Sequence, residues 1–336
     1  MPSLQRDLGE WHGRTPHVDQ LPNGRSSNGD HQKNGVNGAA VSNGEVSVEE
    51  LDVVIVGAGF AGCYLLYKLR KRGFIAKIIE AGSDLGGIWH WNAYPGARVD
   101  SQYPIYAYSL PEVYEDWNWS SHYPDHTELR QYFAHVDKKL QIKKDTIFNT
   151  KVVSAEFDQN KDLWTLHCSS NITFRARYFV ACIGFAAKRH FPDWDGLNDF
   201  KGVIHHSSFW PHDGVDVKGK KCAVVGTGAS GVQITQEWAK EIGDEGHLKM
   251  FQRTPNLACP MRQVSLTPEQ QAEDKLNYPD VFNQRWVNYA GFLYQFRPEL
   301  MFDHTLEERQ EMFNMLWNMV RLLQFKPRLY LSTKGV

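Results

Sequence analysis

Apolar and polar positions divide the chain into a leader without pattern and a strongly patterned body. Residues 1–48 hold few large apolar side chains and five Asn-Gly steps, at Asn23, Asn28, Asn34, Asn37 and Asn43. Such a segment cannot bury enough surface to offset its ordering entropy, so a disordered leader with no catalytic part is expected. From Leu51 the pattern changes. The apolar run Leu51–Val56 reads as a strand, and Gly57-Ala58-Gly59-Phe60-Ala61-Gly62 opens an amphipathic stretch ending near Arg72. The next strand, Lys77–Ile79, ends in Glu80, and an aromatic, turn-rich stretch follows over Gly86–Trp119. Asp125, three residues ahead of Glu128, signals a capping box and a helix to about Leu140. The alternating runs Val152–Phe157 and Trp164–Cys168 predict a hairpin, and Tyr178–Cys182 a buried strand ending at Gly184.

After a connector punctuated by Pro and Gly, Phe191–Leu197, the strand-turn-helix order repeats. Cys222–Val225 leads into Gly226-Thr227-Gly228-Ala229-Ser230-Gly231, a helix towards Lys240, and the strand Leu248–Phe251 running into Gln252-Arg253-Thr254. Beyond it, Thr267-Pro268-Glu269-Gln270 and Thr305-Leu306-Glu307-Glu308 carry helix-start signals. The second of these helices lines up Phe313, Leu316, Trp317, Val320 and Leu323 as a packing face. The expected fold is α/β: two Rossmann-like dinucleotide-binding domains, with the disordered leader and a helical C-terminal segment. Its expected boundaries are 1–48 (leader), 49–184 (first nucleotide domain), 185–197 (connector), 198–260 (second nucleotide domain) and 261–336 (helical segment).

The two glycine turns close on opposite charges. In a βαβ nucleotide site the glycines give a tight turn and let the backbone approach a pyrophosphate at the positive helix N-terminus. The residue ending the second strand meets the adenosine ribose, where a carboxylate suits free hydroxyls and an arginine suits a 2′-phosphate. Glu80 therefore points to FAD or NAD, and Arg253, with Thr254 beside it, to NADPH. Two different nucleotides in one chain imply that electrons pass between them.

Composition narrows the classes further. At 336 residues and 42% hydrophobic content the chain can bury one large core or two ordinary ones. A net charge of −2 makes no electrostatic case for nucleic acid or an anionic membrane. No apolar run approaches bilayer-spanning length, and no signal peptide is visible. Cys63, Cys168, Cys182, Cys222 and Cys259 are scattered without a Cys-x-x-Cys pair, which fits a reduced, cytoplasmic compartment and argues against a structural metal. The sequons at Asn118 and Asn171 are then read as chance matches.

Two further motifs flank these turns. One is Gly86-Gly87-Ile88-Trp89 with Tyr94-Pro95-Gly96 and Asp100, in which Trp89, Trp91 and Tyr94 could wall an isoalloxazine ring. The other is Phe200-x-Gly202-x3-His206-x3-Trp210-Pro211. With them the chain resembles the type I Baeyer–Villiger monooxygenases, FAD- and NADPH-dependent flavoproteins that insert oxygen beside a ketone. The family signature F-x-G-x3-H-x3-W-[PD] is matched by Phe200, Gly202, His206, Trp210 and Pro211. A second family pattern is matched by Gly86, Gly87, Trp89, Tyr94, Pro95, Gly96 and Asp100. The related flavin-containing and N-hydroxylating enzymes carry a shorter version without the Trp-Pro end.

The resemblance covers roughly residues 50–260, and its implications attach to particular positions. Gly57, Gly59, Gly62, Glu80, Trp89 and Tyr106 would hold FAD, with Val152 or Val153 near its adenine, and Gly87, Ile88, Trp91, Arg98 and Val99 would be further cofactor-binding positions. Gly226, Thr227, Gly228, Ala229, Ser230, Gly231, Val232, Arg253 and Thr254 would hold NADPH. Asp100 would lie beside the flavin, orienting an active-site arginine and the nicotinamide. His206 would couple domain movement to NADPH use. Substrates would be a ketone and O2, with neither nucleic acid nor membrane as partner and no metal, and the style of chain is similar to fungal enzymes of polyketide or terpenoid metabolism. The family arginine and the strands completing the first domain are expected beyond Val336; no Lys-Arg pair of the expected kind follows Asn256. Three readings stay open: a Baeyer–Villiger monooxygenase, an N- or S-oxidising flavin monooxygenase, against which Trp210-Pro211 argues, and a nucleotide-binding remnant that turns nothing over.

Overall fold

The computed structural model describes residues 47–186, 188–255, 260–288, 291 and 300–322. The expected leader lies outside them, apart from Ser47 and Val48, which open the first strand. The described residues divide into two compact units, one holding residues 188–205 and the other the remainder.

The larger unit begins with a βαβ crossover: β1 (Ser47–Val56), α1 (Phe60–Arg70) and β2 (Ala76–Ile79). β1 pairs in parallel with β2, in the register Val53 to Ala76 and Val56 to Ile79. Val53 and Ile55 face the core beneath α1, while Val54 and Val56 face the opposite core. A strand buried on both sides must be apolar at every position, which is why this run is continuous rather than alternating. Two short helices, α2 (Ile88–Trp91) and α3 (Pro111–Tyr114), punctuate the aromatic stretch, and neither was expected.

α4 (His126–Leu140) starts where the caps placed it, with the Asp125 carboxylate accepting from the Glu128 N–H. The reciprocal half of the capping box is absent. The Glu128 carboxylate instead accepts from the backbone and hydroxyl of Ser120, a neighbour delivered by the tertiary fold. Leu129, Tyr132, Phe133 and Val136 are fully buried on one face of α4. At roughly 2 kcal/mol for each such side chain, this stripe outweighs a cap contributing about 1 kcal/mol, so packing decides where α4 lies.

β3 (Thr146–Ile147) adds to the edge of β2. β4 (Val152–Asp158) and β5 (Leu163–Cys168) form the expected antiparallel hairpin. β6 (Ile172–Ala181) starts six residues before the expected strand and joins the hairpin to β1, completing a six-stranded sheet of order β3-β2-β1-β6-β5-β4. The expectation that Tyr178–Cys182 is buried does not hold. β5 pairs with β6 only as far as Ala176, so beyond it β6 has β1 alone as neighbour, and Tyr178 and Ala181 are exposed.

β7 (Lys221–Val225), α5 (Ala229–Glu241) and β8 (His247–Phe251) repeat the crossover as a two-stranded parallel ribbon. α5 covers one face through Ile234 and Trp238, which pack with Val224 and Leu248, while Val225, Met250 and Phe251 are exposed. The chain then returns to the first half. The Val264 carbonyl accepts from His122 N–H, and Leu266 N–H donates to Ser120. α6 (Pro268–Lys275) carries the expected Thr267–Gln270 capping box. Its Gln271 side chain is fully buried and bonds both the N–H and the C=O of Trp119.

α7 (Tyr278–Val287), also unexpected, packs Tyr278 and Phe282 on Tyr114. α8 (Leu306–Leu322) begins at the expected Thr305–Glu308 signal. Phe313 of its expected packing face is more than half exposed; the other members lie outside the described side chains. Among the described residues no helix is long and apolar enough to cross a membrane.

In the smaller unit a 3-10 turn at Leu197–Asp199 precedes Phe200. The Phe200 ring folds over Gly202 so closely that a Cβ there would stand 2.5 Å from it.

Candidate active site

The two glycine turns are the same object built twice. Gly57 N–H donates to Ile79 C=O at 2.9 Å, and Gly226 N–H to Phe251 C=O at 2.9 Å. A Cβ at Gly62 would lie 1.9 Å from the Gly57 oxygen, and one at Gly231 would lie 2.2 Å from the Gly226 oxygen. Only glycine lets helix and turn approach this closely, and the approach aims the first helical N–H groups outward. α1 and α5 both start on glycine, Gly59 and Gly228, with no side-chain cap and no acid in the first turn. By contrast α4, α6 and α8 take side-chain caps from Asp125, Thr267 and Thr305. Bare N–H groups at a helix N-terminus suit an anion, and a dinucleotide pyrophosphate is a group of that charge and size. Around Gly228 a Cβ would meet nothing within 4 Å, so a ligand can approach the backbone.

At the first turn the paired glycines come into register with the nucleotide loop. Gly86 N–H donates to Ala58 C=O (3.0 Å), and Gly87, at φ +57°, lies so near Gly59 that its Cβ would stand 3.0 Å from the Gly59 Cα. This places Ile88 and Trp89 against the turn. Trp89 is buried and stands edge-on to Tyr106, with ring centres 5.5 Å apart. Burial raises the Tyr106 phenol above its ordinary pKa, so it stays protonated. The carbonyls flanking Tyr106, of Ile105 and Ala107, accept from the Arg285 guanidinium at 2.8 and 3.1 Å. Trp91 faces the signature segment: it packs on the Phe209 ring at 4.6 Å, and its carbonyl accepts from Phe209 N–H.

Glu80 is 6% exposed and already engaged. One carboxylate oxygen accepts from Ala58 N–H and the other from Gly82 N–H, each at 2.7 Å. Each oxygen keeps a second lone pair for a ribose hydroxyl, so the same group shapes the turn and can receive a ligand. Beside it His90 is 4% exposed, with its Nδ1 buried and lacking a hydrogen-bond partner. Burial is the main cause that lowers the His90 pKa. Val152 opens β4 at the sheet edge, and the residues just before it reach the Glu80 loop: Thr150 N–H donates to Glu80 C=O and Asn149 N–H to Gly82 C=O. Arg285, His90 and Thr150 escaped sequence reading, since none lies in a motif. The burial and orphaned nitrogen that single out His90 exist only in the folded chain.

Arg98, Val99 and Asp100 follow on one loop. Val99 is buried and donates to Pro124 C=O, Arg98 is half-buried, and Asp100 is exposed. The Asp100 charge reaches Tyr94, Tyr106 and Tyr123, contributing to the raised pKa of each phenol, where burial leads. Tyr94, expected to wall a ring system with Trp89 and Trp91, turns away. It joins the core of the second half with Ala97, Trp210, Val224, Ile234 and Trp238.

At the second turn Thr227 is buried and Gln252 donates to its hydroxyl at 3.1 Å, tying the end of β8 to the turn. Arg253 and Thr254 follow, both exposed; Ser230 and Val232 are half-buried in the first turn of α5, and Ala229 is exposed. His206 accepts from Ser208 N–H through Nδ1 at 3.1 Å, a bond internal to the signature. Trp210 is buried against Trp238 at 5.8 Å, which makes it a packing residue. Among the described residues no group of His, Cys, Asp or Glu is arranged to hold a metal.

This geometry defines an α/β protein with two glycine-turn βαβ units, and comparison with known proteins agrees. Residues 50–245 match the family model described as flavin-binding monooxygenase-like, and the chain belongs to that family. It is 49% identical over 264 residues to FAD-binding monooxygenase acrE of Aspergillus aculeatus, covering 79% of this chain and 44% of that protein. To cyclopentanone 1,2-monooxygenase of a Comamonas species it is 43% identical, covering 80% and 48%. Among solved structures, an oxidized steroid monooxygenase bound to NADP superposes with a TM-score of 0.74 at 36% identity, covering 80% and 51%. OTEMO in complex with FAD and NADP gives 0.74 at 32% identity, again covering 80% and 51%. The resemblance to Baeyer–Villiger monooxygenases read from the motifs is therefore borne out, and the chain spans about half the length of the curated relatives it matches.

Proposed function

We propose that this chain holds FAD at the first glycine turn and NADPH at the second, as the nucleotide-binding part of a Baeyer–Villiger monooxygenase. The reaction converts a ketone, O2, NADPH and a proton into an ester or lactone, water and NADP+. The observation that carries this reading is the pair of uncapped helix N-termini, one closing on buried Glu80 and the other on exposed Arg253. FAD, when bound, supplies the redox chemistry, taking a hydride from NADPH and activating O2.

The protein's own groups bind and orient. The N–H groups of the first turns of α1 and α5 receive the pyrophosphates. Glu80 takes the ribose hydroxyls of the first nucleotide, and Arg253 with Thr254 takes the 2′-phosphate of the second. Trp89 and Tyr106 give the first site an apolar wall that excludes water, and Asp100 presents a carboxylate at its open edge. His206 acts as a hinge residue of the signature. Relatives from fungi, among them acrE, VdtE of Byssochlamys spectabilis and lolF1 of Epichloe uncinata, support a place in fungal secondary metabolism. The free cysteines among the described residues, Cys63, Cys168, Cys182 and Cys222, support a reducing compartment.

The test is to incubate purified protein with FAD, NADPH and a panel of cyclic and linear ketones, following NADPH loss and products. Ester or lactone formation supports the reading. NADPH-dependent hydrogen peroxide without ester would reduce it to an uncoupled flavin reductase. A colourless protein that retains no flavin would overturn it.

A further inference from the structure

The loop carrying Arg98 and Asp100 is tied to the helix of the second glycine turn by the buried Tyr94 hydroxyl and the Gln233 side chain it bonds. Tyr94 is 7% exposed, and its oxygen accepts from the Ser230 hydroxyl at 3.1 Å while its proton goes to the Gln233 side-chain oxygen at 3.0 Å. The Gln233 amide then donates to the Arg98 carbonyl at 3.2 Å. Burial pushes the Tyr94 phenol above its usual pKa, so it keeps its proton and the chain runs one way: Ser230 to Tyr94 to Gln233 to Arg98.

Packing alone does not explain this arrangement. The neighbours of the Tyr94 ring are apolar, and phenylalanine would fill the same space without the desolvation cost of a hydroxyl. The loop also lies flat on α5. At Gly96, φ +75°, a Cβ would stand 2.9 Å from the Glu237 Cγ and 3.0 Å from the Gln233 oxygen. Little slack remains between loop and helix, so a change at one is felt at the other.

We infer that Tyr94 is a positioning residue that transmits occupancy of the second glycine turn to the Arg98–Asp100 loop. The inference rests on the two-nucleotide reading above. Ser230 sits in the uncapped first turn of α5, where a pyrophosphate offers its hydroxyl a charged acceptor stronger than a phenol oxygen. Once Ser230 turns to the phosphate, Tyr94 keeps only its bond to Gln233, and the hold on the Arg98 backbone is rebalanced. Nucleotide arrival at one turn thereby reaches the loop beside the other.

The test is Tyr94→Phe in the full chain, read by NADP+ binding, by flavin absorbance and by anaerobic flavin reduction with NADPH. NADP+ should still bind within about threefold of the parent, since no ligand contact is removed. The change in flavin absorbance that NADP+ causes in the parent should be largely lost, and reduction should slow about tenfold, as expected for one buried hydrogen-bonding hydroxyl. Ser230→Ala also leaves Tyr94 with only its bond to Gln233, so it should weaken NADP+ and shift the resting flavin spectrum towards that of the NADP+-bound parent. A Tyr94→Phe protein with the parental spectral response and reduction rate would overturn the inference. If the parent takes up neither nucleotide, it is the two-nucleotide reading that fails, and hydrogen exchange of the ligand-free chain decides the tie. Faster exchange at the Ala97 and Val99 amides in Tyr94→Phe supports it, and unchanged exchange removes it.

Discussion

Replacing Glu80 with glutamine should destabilise the protein before any nucleotide is added. The carboxylate accepts two short bonds, from Ala58 N–H and Gly82 N–H, each at 2.7 Å, in a site that is 6% exposed. Hydrogen bonds to a charged acceptor contribute about 1.5–3 kcal/mol each. A glutamine amide can replace one with a neutral bond of about 1 kcal/mol, but its NH2 then faces the other backbone N–H, donor against donor. The lost charge and the unsatisfied donor together cost about 2–4 kcal/mol, which lowers the thermal midpoint of a domain this size by roughly 5 °C. Calorimetric or fluorescence melting of the flavin-free protein measures this, and flavin content after purification measures the second effect, a loss of FAD with NADPH affinity nearly unchanged. A flavin-free variant melting with the parent would refute the structural role, leaving Glu80 as a ribose ligand alone.

Other outcomes follow from the same geometry. Arg253→Ala should weaken NADPH on the order of tenfold to a hundredfold while sparing NADH, because only NADPH offers a phosphate to the guanidinium; equal losses in a titration with both coenzymes would contradict it. Gly62→Ala and Gly228→Ala should part company. The first forces a Cβ to within 1.9 Å of the Gly57 oxygen and should abolish stable folding, whereas the second meets no neighbour within 4 Å. Gly228→Ala should therefore fold with a penalty of about 1 kcal/mol or less yet bind NADPH poorly, as melting and titration on one preparation will show. His122 is buried between Tyr103 and Tyr123 and bonds to Gln102, and burial lowers its pKa to about 4. Its folded-state pKa lies below the unfolded value, so the unfolded chain takes up the proton first. Its stabilising contribution is present above about pH 6.5 and is lost as the pH falls through 4, on the order of 3 kcal/mol in all. His122→Gln should flatten that part of the stability–pH curve, and an unchanged acid slope would place its origin elsewhere.

Much of the site is written locally. A strand, a glycine turn, a helix and a second strand occupy about thirty residues. Their periodicities, the glycines at 57, 59, 62, 226, 228 and 231, and the charges at Glu80 and Arg253 were therefore legible along the chain. The caps at Asp125, Thr267 and Thr305 were legible for the same reason, since cap and partner lie three residues apart. Legibility failed where a partner came from afar. Glu128 reads as the second half of a capping box, but Ser120 claims its carboxylate. The first half of β6 was missed because its exposed arginines, Arg175 and Arg177, obscure a strand that pairing with both β1 and β5 stabilises.

The sequence alone determined that two nucleotide turns exist and which charge each presents, because those features depend on neighbours within one crossover. Tertiary structure decided how the side chains are spent. It committed Glu80 to Ala58 and Gly82, seated Gly87 against Gly59, buried Gln271 on Trp119, and turned Tyr94 from the first site towards Ser230 and Gln233. A polar group that leaves water must bond whatever the fold brings within about 3 Å, and that neighbour is chosen by packing across the whole chain, which no local pattern records.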